Sequence, residues 1–240
     1  MSIAEISTST VPHGSGDGKR ESAAAVPVGD LGRVVDDGSG VRQGGRMTQS
    51  DAPIVLFWRR TDVLGLERLE LEVSHDGIVA TSTVLCIEDG GFELRHRWRL
   101  TPDWRAQWLE IERRGDRLDQ RLLVERSGNG WLVDGRRRPD LEGADEPDLS
   151  ITPFCNTLPI RRTPETVGAE LTLETCYIDA AAMTVERSRQ RYERLGPNRV
   201  RYVDLGVAAG FEAELEVDDE GFVLRYGQLF ERVRADSSLT

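Results

Sequence analysis

The sequence contains a single lysine, Lys19, among its 240 residues. Residues 51–240 therefore lack the lysine that a phosphate-binding P-loop or a Schiff-base enzyme requires. Cysteine is also scarce, and Cys86, Cys155 and Cys176 form no Cys-x-x-Cys pair. This pattern favours free thiols in a cytoplasmic protein over a disulfide framework. No apolar run is long enough to predict a transmembrane helix.

Aromatic residues are absent from residues 1–46, which are rich in Gly, Ser, Ala and Asp and show no apolar periodicity. Such a segment buries too little apolar surface to offset the entropy of ordering it, so we predict a disordered N-terminal extension. We assign residues 47–235 to one folded domain and residues 236–240 to a flexible C-terminus. The formal net charge of −11 argues against a nucleic-acid partner, whose phosphates would be repelled.

Alternation of apolar and polar residues dominates the rest of the chain and predicts β-strands. The stretch "RLELEV" at residues 68–73 and the stretch "GFELRHRWRL" at residues 91–100 each place their apolar side chains on one face. The stretch "FEAELEVD" at residues 211–218 does the same, and looser alternation covers residues 54–60, 78–87, 104–112, 117–125, 169–178, 183–194 and 199–205. The short Gly-rich turns between these segments predict an antiparallel meander of about a dozen strands, which must curl into a barrel, roll or sandwich.

The stretch "SITPFCNTLPIRR" at residues 150–162 is the one segment that favours a helix. Ser150 or Thr152 can cap its start, and Pro153 suits the first helical position because a proline N–H is not needed there.

The interior of this segment is less regular. Phe154 and Leu158 lie four residues apart and would share one helix face. Pro159 removes a backbone hydrogen bond and predicts a kink or pause. An irregular loop is the alternative. If the segment is a helix, its apolar face could close the open mouth of a curled sheet.

Several stretches together resemble a glycolipid-binding family of bacterial proteins. The most specific is "TPFCNTLPIRR", supported by "FWRRTDVLGLERLEL", "RHRWRLTPDWRAQWLEI", "RQRYERL" and "FEAELEVDDEGFVLRYGQLFERV". The resemblance covers roughly residues 51–235. It implies an all-β fold, mainly antiparallel, in which a spiral β-roll wraps around one short helix, and it implies a homodimer. The family's shape is distantly similar to lipoprotein carriers whose curled sheets hold acyl chains.

The function that this resemblance implies is non-enzymatic binding of a lipid or glycolipid-like amphiphile in the interior of the roll, without a cofactor. Arginine and aromatic side chains near the helix would hold the head group, since guanidinium groups offer forked donors and aromatic rings offer flat faces. We expect Arg59 to point inward with Phe57. The expected ligand-binding residues are Trp58, Arg59, Phe154, Asn156, Arg161, Arg162, Gln190 and Tyr192. The alternative is that tryptophans fill the core and arginines pair with the surplus acids.

Two further functions remain open at this point. A hydrolase acting on a lipidic or small acyl substrate would need Cys155 beside His75 or His96, although a packing cysteine and two isolated histidines are the simpler interpretation. A dimeric scaffold would have a filled interior. If the arginine pair binds a head group, Arg162→Ala should leave the fold nearly unchanged.

Overall fold

The computed structural model describes residues 52–115 and 118–234, so the predicted extension at residues 1–46 and the C-terminal residues 236–240 lie outside the described residues. The described chain forms one helix, two short 3-10 turns and fifteen strands. The strands are β1 Ile54–Arg60, β2 Gly65–Ser74, β3 Gly77–Cys86, β4 Phe92–Leu100, β5 Ala106–Gly115, β6 Gln120–Ser127, β7 Gly130–Val133, β8 Arg136–Arg137, β9 Glu146–Leu149, β10 Glu170–Asp179, β11 Thr184–Gly196, β12 Arg199–Asp204, β13 Glu212–Val217, β14 Val223–Tyr226 and β15 Phe230–Val233.

All fifteen strands belong to one sheet with the order β8-β7-β6-β5-β4-β3-β2-β1-β15-β14-β13-β12-β11-β10-β9. Two meanders run outward from the centre, where β1 pairs with β15 in the register Phe57 to Val233. Every pair is antiparallel except β9 with β10, which is parallel. The predicted all-β, mainly antiparallel curled sheet is therefore confirmed, with more strands than the dozen expected.

The predicted alternation sets the two faces of the sheet. Leu69, Leu71 and Trp98 are buried on the inner face, whereas Val73 is exposed near the end of β2. The expectation that Arg59 points inward is wrong. Its side chain is 59% exposed and pairs with Glu231 at 2.5 Å on the neighbouring strand β15, because the buried positions of β1 are the alternate ones.

The two ends of the sheet are held together by the connection between β8 and β9. In this connection the Ala144 carbonyl accepts the Trp131 indole N–H at 3.0 Å. Arg187 on β11 donates to the Glu142 carbonyl at 2.7 Å, and Arg138 donates to the Val185 carbonyl at 2.9 Å. These bonds tie the β6–β8 end to the β9–β11 end, so the sheet curls without pairing its terminal strands.

The helix, α1, spans Phe154–Arg162 and lies inside the curl, as predicted. It begins one residue later than expected, with Pro153 at the cap position, and the Thr152 hydroxyl accepts the Phe154 N–H at 3.1 Å. Residues 154–160 are all buried, and Phe154 meets the Trp98 ring edge-on at 5.8 Å. Pro159 is accommodated within the helix, which continues to Arg162.

No helix among the described residues is long and apolar enough to cross a membrane. The three cysteines are buried and free, as the sequence predicts.

Candidate functional site

The C-terminal end of α1 is capped by an arginine from the sheet. The Arg194 side chain, from β11, donates Nη2 hydrogen bonds to the carbonyls of Ile160 at 3.0 Å and Thr163 at 3.1 Å. The last carbonyls of a helix lack partners within the helix and carry partial negative charge, so a buried guanidinium satisfies them and complements the helix dipole. The cap is therefore Arg194 of the sheet, whereas Arg161 and Arg162 of the helix itself have other partners.

A groove of about 370 Å³ opens beside this helix end, between Ile160–Glu165 and the turn from β13 to β14. We call it the outer groove. Arg161 reaches it, with its guanidinium carbon 4.1 Å from the centre of the Trp104 ring and a hydrogen bond to the Glu220 carbonyl. Burial lowers the pKa of Arg161, while Asp218 and Glu220 oppose this shift.

The backbone around Arg161 is held in uncommon conformations. Trp104 has φ 62°, a left-handed value that costs energy for a residue with a side chain. Gly221 has φ 82°, and a Cβ there would lie 3.1 Å from Cγ of Arg161. Phe222 supports the other edge of the Trp104 ring at 5.8 Å. The Arg161 side chain is therefore packed between the Trp104 ring and the turn that contains Gly221.

A second depression, of about 490 Å³, continues the outer groove on the other side of the β13–β14 turn. The two share their wall at Val217–Glu220 and Asn198, and the second adds Leu224. The lining of the first part combines two arginines with four carboxylates: Arg161, Arg194, Glu165, Asp218, Asp219 and Glu220. Acceptors therefore outnumber basic groups, which suits hydroxyl-bearing ligands better than phosphates.

The inner side of α1 borders a small enclosed cavity of about 30 Å³, which we call the inner chamber. Asp148 of β9 lines it and accepts hydrogen bonds from the Cys155 thiol at 3.0 Å and from the Gln190 amide. The Tyr192 hydroxyl donates to Oδ1 of Asn156 at 2.8 Å. Burial raises the pKa of Asp148 and, much further, the pKa of the Cys155 thiol.

The cysteine–histidine pair that a hydrolase would need is absent from the described residues. Cys155 donates to Asp148, and its thiol pKa is raised, so it is a poor nucleophile. His96 instead lies between two other groups: Nδ1 accepts the Trp98 indole N–H at 2.9 Å, and Nε2 faces Glu67 at 3.1 Å. Since an indole only donates, His96 is the neutral tautomer that carries its proton on Nε2. His75 is exposed beside Asp76.

Arg162 points away from both cavities and forms an ion pair with the buried Glu146 at 2.7 Å. Burial raises the pKa of Glu146, while Arg162 and the Ala106 N–H partly offset this effect. Arg162 is therefore a structural group that neutralises a buried carboxylate. Because of this ion pair we expect Arg162→Ala to destabilise the fold, in place of the small effect expected from the sequence.

The structure divides the eight candidate residues among separate places. Arg161 alone borders the outer groove, and Asn156, Gln190 and Tyr192 form one hydrogen-bonded cluster beside the inner chamber. Trp58 and Phe154 are core residues, the first donating its indole N–H to the Val223 carbonyl at 2.7 Å.

The interior holds no space of ligand size within the described residues. The core is filled by large side chains such as Trp58, Trp98, Trp131 and Phe154, and the enclosed cavities are about 30 Å³ each. Sites for drug-sized ligands usually measure about 300–1,000 Å³. These two cavities are therefore too small to support the expectation that the apolar part of a lipid occupies the roll interior.

Several acidic side chains face inward although the sequence analysis did not predict this. Glu67 follows the same alternation as Leu69 and Leu71, which is a signal that it faces inward. The buried Glu146 and the half-buried Asp148 are two residues apart in β9, which is the spacing of one strand face. Trp104 lies in a short loop, and nothing in the sequence indicates its left-handed backbone.

The comparisons with known proteins agree with this architecture. Residues 55–232 match the model of a family described as "Putative glycolipid-binding". The chain belongs to this family. The resemblance drawn from "TPFCNTLPIRR" and the strand segments is thereby confirmed.

Two solved structures are similar to this member of the glycolipid-binding family. One is a DUF1089 family protein from Pseudomonas aeruginosa, 26% identical, with a TM-score of 0.62 over 80% of this chain and 98% of that one. The other is a beta-barrel-like protein of the domain of unknown function DUF1849 from Brucella abortus, 9% identical, with a TM-score of 0.48 over 76% of this chain and 96% of that one. No curated protein sequence matches the chain.

Proposed function

We propose that this protein binds a glycolipid-like amphiphile without catalysis, and that the outer groove holds its sugar head group. The observation that carries the proposal is Arg161, laid on the Trp104 ring at the wall of a 370 Å³ groove whose other charged groups are mostly carboxylates. Carboxylates accept hydrogen bonds from sugar hydroxyls, and an arginine donates to ring and glycosidic oxygens.

The charge of the groove favours a neutral head group over a phosphate. Four carboxylates and two arginines line its first part, so a phosphate dianion would meet net repulsion. Arg194 is already engaged with the helix carbonyls, which leaves Arg161 as the cation best placed for a ligand. The acyl chains then lie outside both the roll and the second depression, because four carboxylates and Arg199 line that depression beside only two apolar residues, Val217 and Leu224.

The same proposal includes a homodimer, as the resemblance to the bacterial family implies, and a cytoplasmic location, which the three free cysteines favour. An exposed apolar patch supports the dimer. Leu66 and Leu85 are directly opposite each other on the outer face of β2 and β3, and Leu64 and Ile87 extend the patch beyond the strand ends. All four side chains are 48–72% exposed, which is unusual for such a cluster on a monomer.

Vesicle co-sedimentation tests the groove. We expect the full chain to bind phosphatidylcholine vesicles doped with a monoglycosyl diacylglycerol, and to bind vesicles doped with phosphatidylglycerol less. Arg161→Ala should weaken glycolipid binding about tenfold, the equivalent of about 1.4 kcal/mol. Arg59→Ala is the matched control, because Arg59 is an exposed arginine outside the groove lining. Native mass spectrometry of gently purified protein would identify a retained amphiphile.

Two results would contradict the proposal. One is equal sedimentation of wild-type protein with all vesicle types. The other is equal binding by Arg161→Ala and Arg59→Ala, with circular dichroism showing that both are folded.

A further inference from the structure

The inner chamber is lined by carboxylates and aromatic rings that have no role in the proposed function. It shares no lining residue with the outer groove. Two buried or enclosed carboxylates, Asp148 and Asp204, face it, and its aromatic walls include Tyr202, Tyr226 and Phe230. No lysine, arginine or histidine is among its lining residues within the described chain.

The carboxylates of the chamber are held by neutral donors only. Asp148 accepts from the Cys155 thiol and the Gln190 amide, one on each oxygen. Asp204 accepts from the backbone N–H groups of Gly206 at 2.8 Å and Ala208 at 3.1 Å, and from the Tyr202 hydroxyl at 3.1 Å. A carboxylate oxygen has two lone-pair positions, so Asp148 retains acceptor capacity for another donor.

Tyr226 provides an independent sign that the chamber takes a ligand. The residue is only 6% exposed, yet its hydroxyl has no hydrogen-bond partner among the described residues. The hydroxyl oxygen is not fully enclosed, so it keeps some solvent-accessible surface. Tyr226 lines the inner chamber, and this surface can face that cavity. Tyr226 and Asp148 line the same cavity, and burial and the charge of Asp148 both raise the pKa of Tyr226.

The surrounding rings form a partial aromatic cage. Tyr202 lies edge-on to Tyr226 at 5.8 Å, and Tyr226 stacks on Phe230 at 6.1 Å. Phe211 meets both tyrosines at 6.1 and 6.4 Å. Aromatic faces and carboxylates together attract organic cations, through the ring quadrupole and the full negative charge respectively.

The chamber is small, and a narrow vestibule adjoins it. A second cavity of about 30 Å³ shares Ser150, Tyr177, Leu229 and Phe230 with the chamber and is also lined by the half-exposed Asp179, by Arg60 and by Glu88. The Arg60 guanidinium lies 5.8 Å from the centre of the Phe230 ring, and its charge is balanced by ion pairs with Asp62 and Glu88. A water molecule needs roughly 10–15 Å³ measured in this way, so the chamber admits a group of one or two heavy atoms on a short chain.

We propose that the inner chamber binds a primary ammonium group, carried by a small amine or by a lipid head group, between Asp148 and the hydroxyl of Tyr226. The three N–H groups of the ammonium donate hydrogen bonds to Asp148, to the Tyr226 oxygen and to a further acceptor of the chamber. The aromatic rings contact its first methylene group. The chain that carries it leaves through the vestibule.

An NMR titration of the full-length protein tests this assignment. Methylammonium is the probe, methanol is its uncharged counterpart of the same size, and potassium chloride is the inorganic cation control. We expect saturable shifts of the Gly206 and Ala208 amide signals with methylammonium, and none at equal concentrations of methanol or potassium. Asp148→Asn should weaken binding at least tenfold, and Tyr226→Phe several-fold, since it removes only the hydroxyl.

Further measurements show which compound carries the ammonium group and which results would overturn the proposal. Ethanolamine and phosphatidylethanolamine vesicles compared at equal amine concentration show whether a free amine or a head group is preferred, and either preference supports the site. Equal shifts with methanol would show that the chamber does not recognise the positive charge. Equal shifts with potassium, or unchanged binding in a folded Asp148→Asn variant, would also overturn the proposal. The Arg161→Ala variant should bind methylammonium like wild type, so failure here is distinguishable from failure of the outer groove.

Discussion

Individual buried carboxyl groups are stabilised here in different ways. Glu146 has an arginine partner, Asp204 accepts backbone N–H groups, and Asp148 has only a thiol and an amide. Glu67 concentrates three donors on Oε1, while its Oε2 has no partner within the described residues. A buried carboxyl without a cation costs free energy when ionised, so Asp148, whose pKa is raised by burial, should differ from an exposed carboxyl in its response to pH.

Replacing Asp148 by asparagine tests this difference. Burial raises the folded-state pKa of Asp148, so the folded chain holds this proton more tightly than the unfolded chain, in which the pKa is about 3.9. Its contribution to stability is complete below that value and is lost as the pH rises through the higher folded-state pKa. The melting temperature of Asp148→Asn relative to wild type should therefore increase between about pH 4 and neutrality.

The matched control is Asp103→Asn. The Thr101 hydroxyl lowers the pKa of this exposed carboxyl, so its difference from wild type should not grow over the same pH range. A flat difference for Asp148→Asn would show that Asp148 is ionised at little cost, contrary to the expectation.

At the scale of the elements, α1 is fixed by contacts with the sheet more than by its own propensity. It contains a proline and has no side-chain hydrogen bond from its cap residue, so isolated formation of a nine-residue helix is unfavourable. Its stability comes from the burial of residues 154–160 and from two arginine contacts. Arg194 donates a hydrogen bond to the Ile160 carbonyl at the end of the helix, and Arg162 forms an ion pair with Glu146. These contacts connect the helix to β9 and β11.

Removing one partner of the Arg162–Glu146 pair should be costly. We expect Arg162→Ala to lower the free energy of unfolding by about 3–5 kcal/mol, because it leaves a buried carboxylate with only the more distant Arg126 at 3.8 Å. The double variant Arg162→Met with Glu146→Gln should recover much of this loss, since it removes the buried charge as well. Urea denaturation measures both.

Leu158→Ala is the comparison within the same helix. Leu158 has no exposed surface, so its truncation should cost about 2–5 kcal/mol without dependence on charge. If Arg162→Ala were neutral while Leu158→Ala was costly, the ion pair would contribute little to the attachment of α1.

At the scale of the whole molecule, the curl leaves apolar surface on the outer face near one end of β2 and β3. The patch of Leu64, Leu66, Leu85 and Ile87 has no covering element among the described residues, as their exposure shows. Burying it against a second copy would remove aliphatic surface from water at about 25 cal/mol per Å². This is the physical basis for expecting the homodimer.

Sedimentation velocity tests the dimer at this patch. Wild-type protein should sediment as a dimer at micromolar concentration, and Leu66→Arg should shift it to the monomer without loss of sheet content. Thr81→Arg is the control, because Thr81 is exposed on the same face of β3 but is not part of the patch. A monomeric wild type, or a Leu66→Arg variant that remains dimeric, would show that this surface does not mediate association.

The sequence by itself determined the strands with strong alternation and the position of the helix. Residues 68–73 and 91–100 alternate strictly because each strand has one buried face, and β2 and β4 contain these segments. The family assignment also followed from the sequence, through residues 150–162. The short strands β7, β8, β9, β14 and β15 escaped prediction, since two to four residues are too few to establish a period.

Only the tertiary structure decided which polar residues meet. Asp148 and Gln190 are 42 residues apart, and Glu67 and Thr152 are 85 apart, yet each pair shares a hydrogen bond. The curl of the sheet sets these contacts, and local periodicity contains no information about them. It also decided that Arg161 reaches a groove while its neighbour Arg162 reaches a buried acid, because adjacent residues on a helix point about 100° apart.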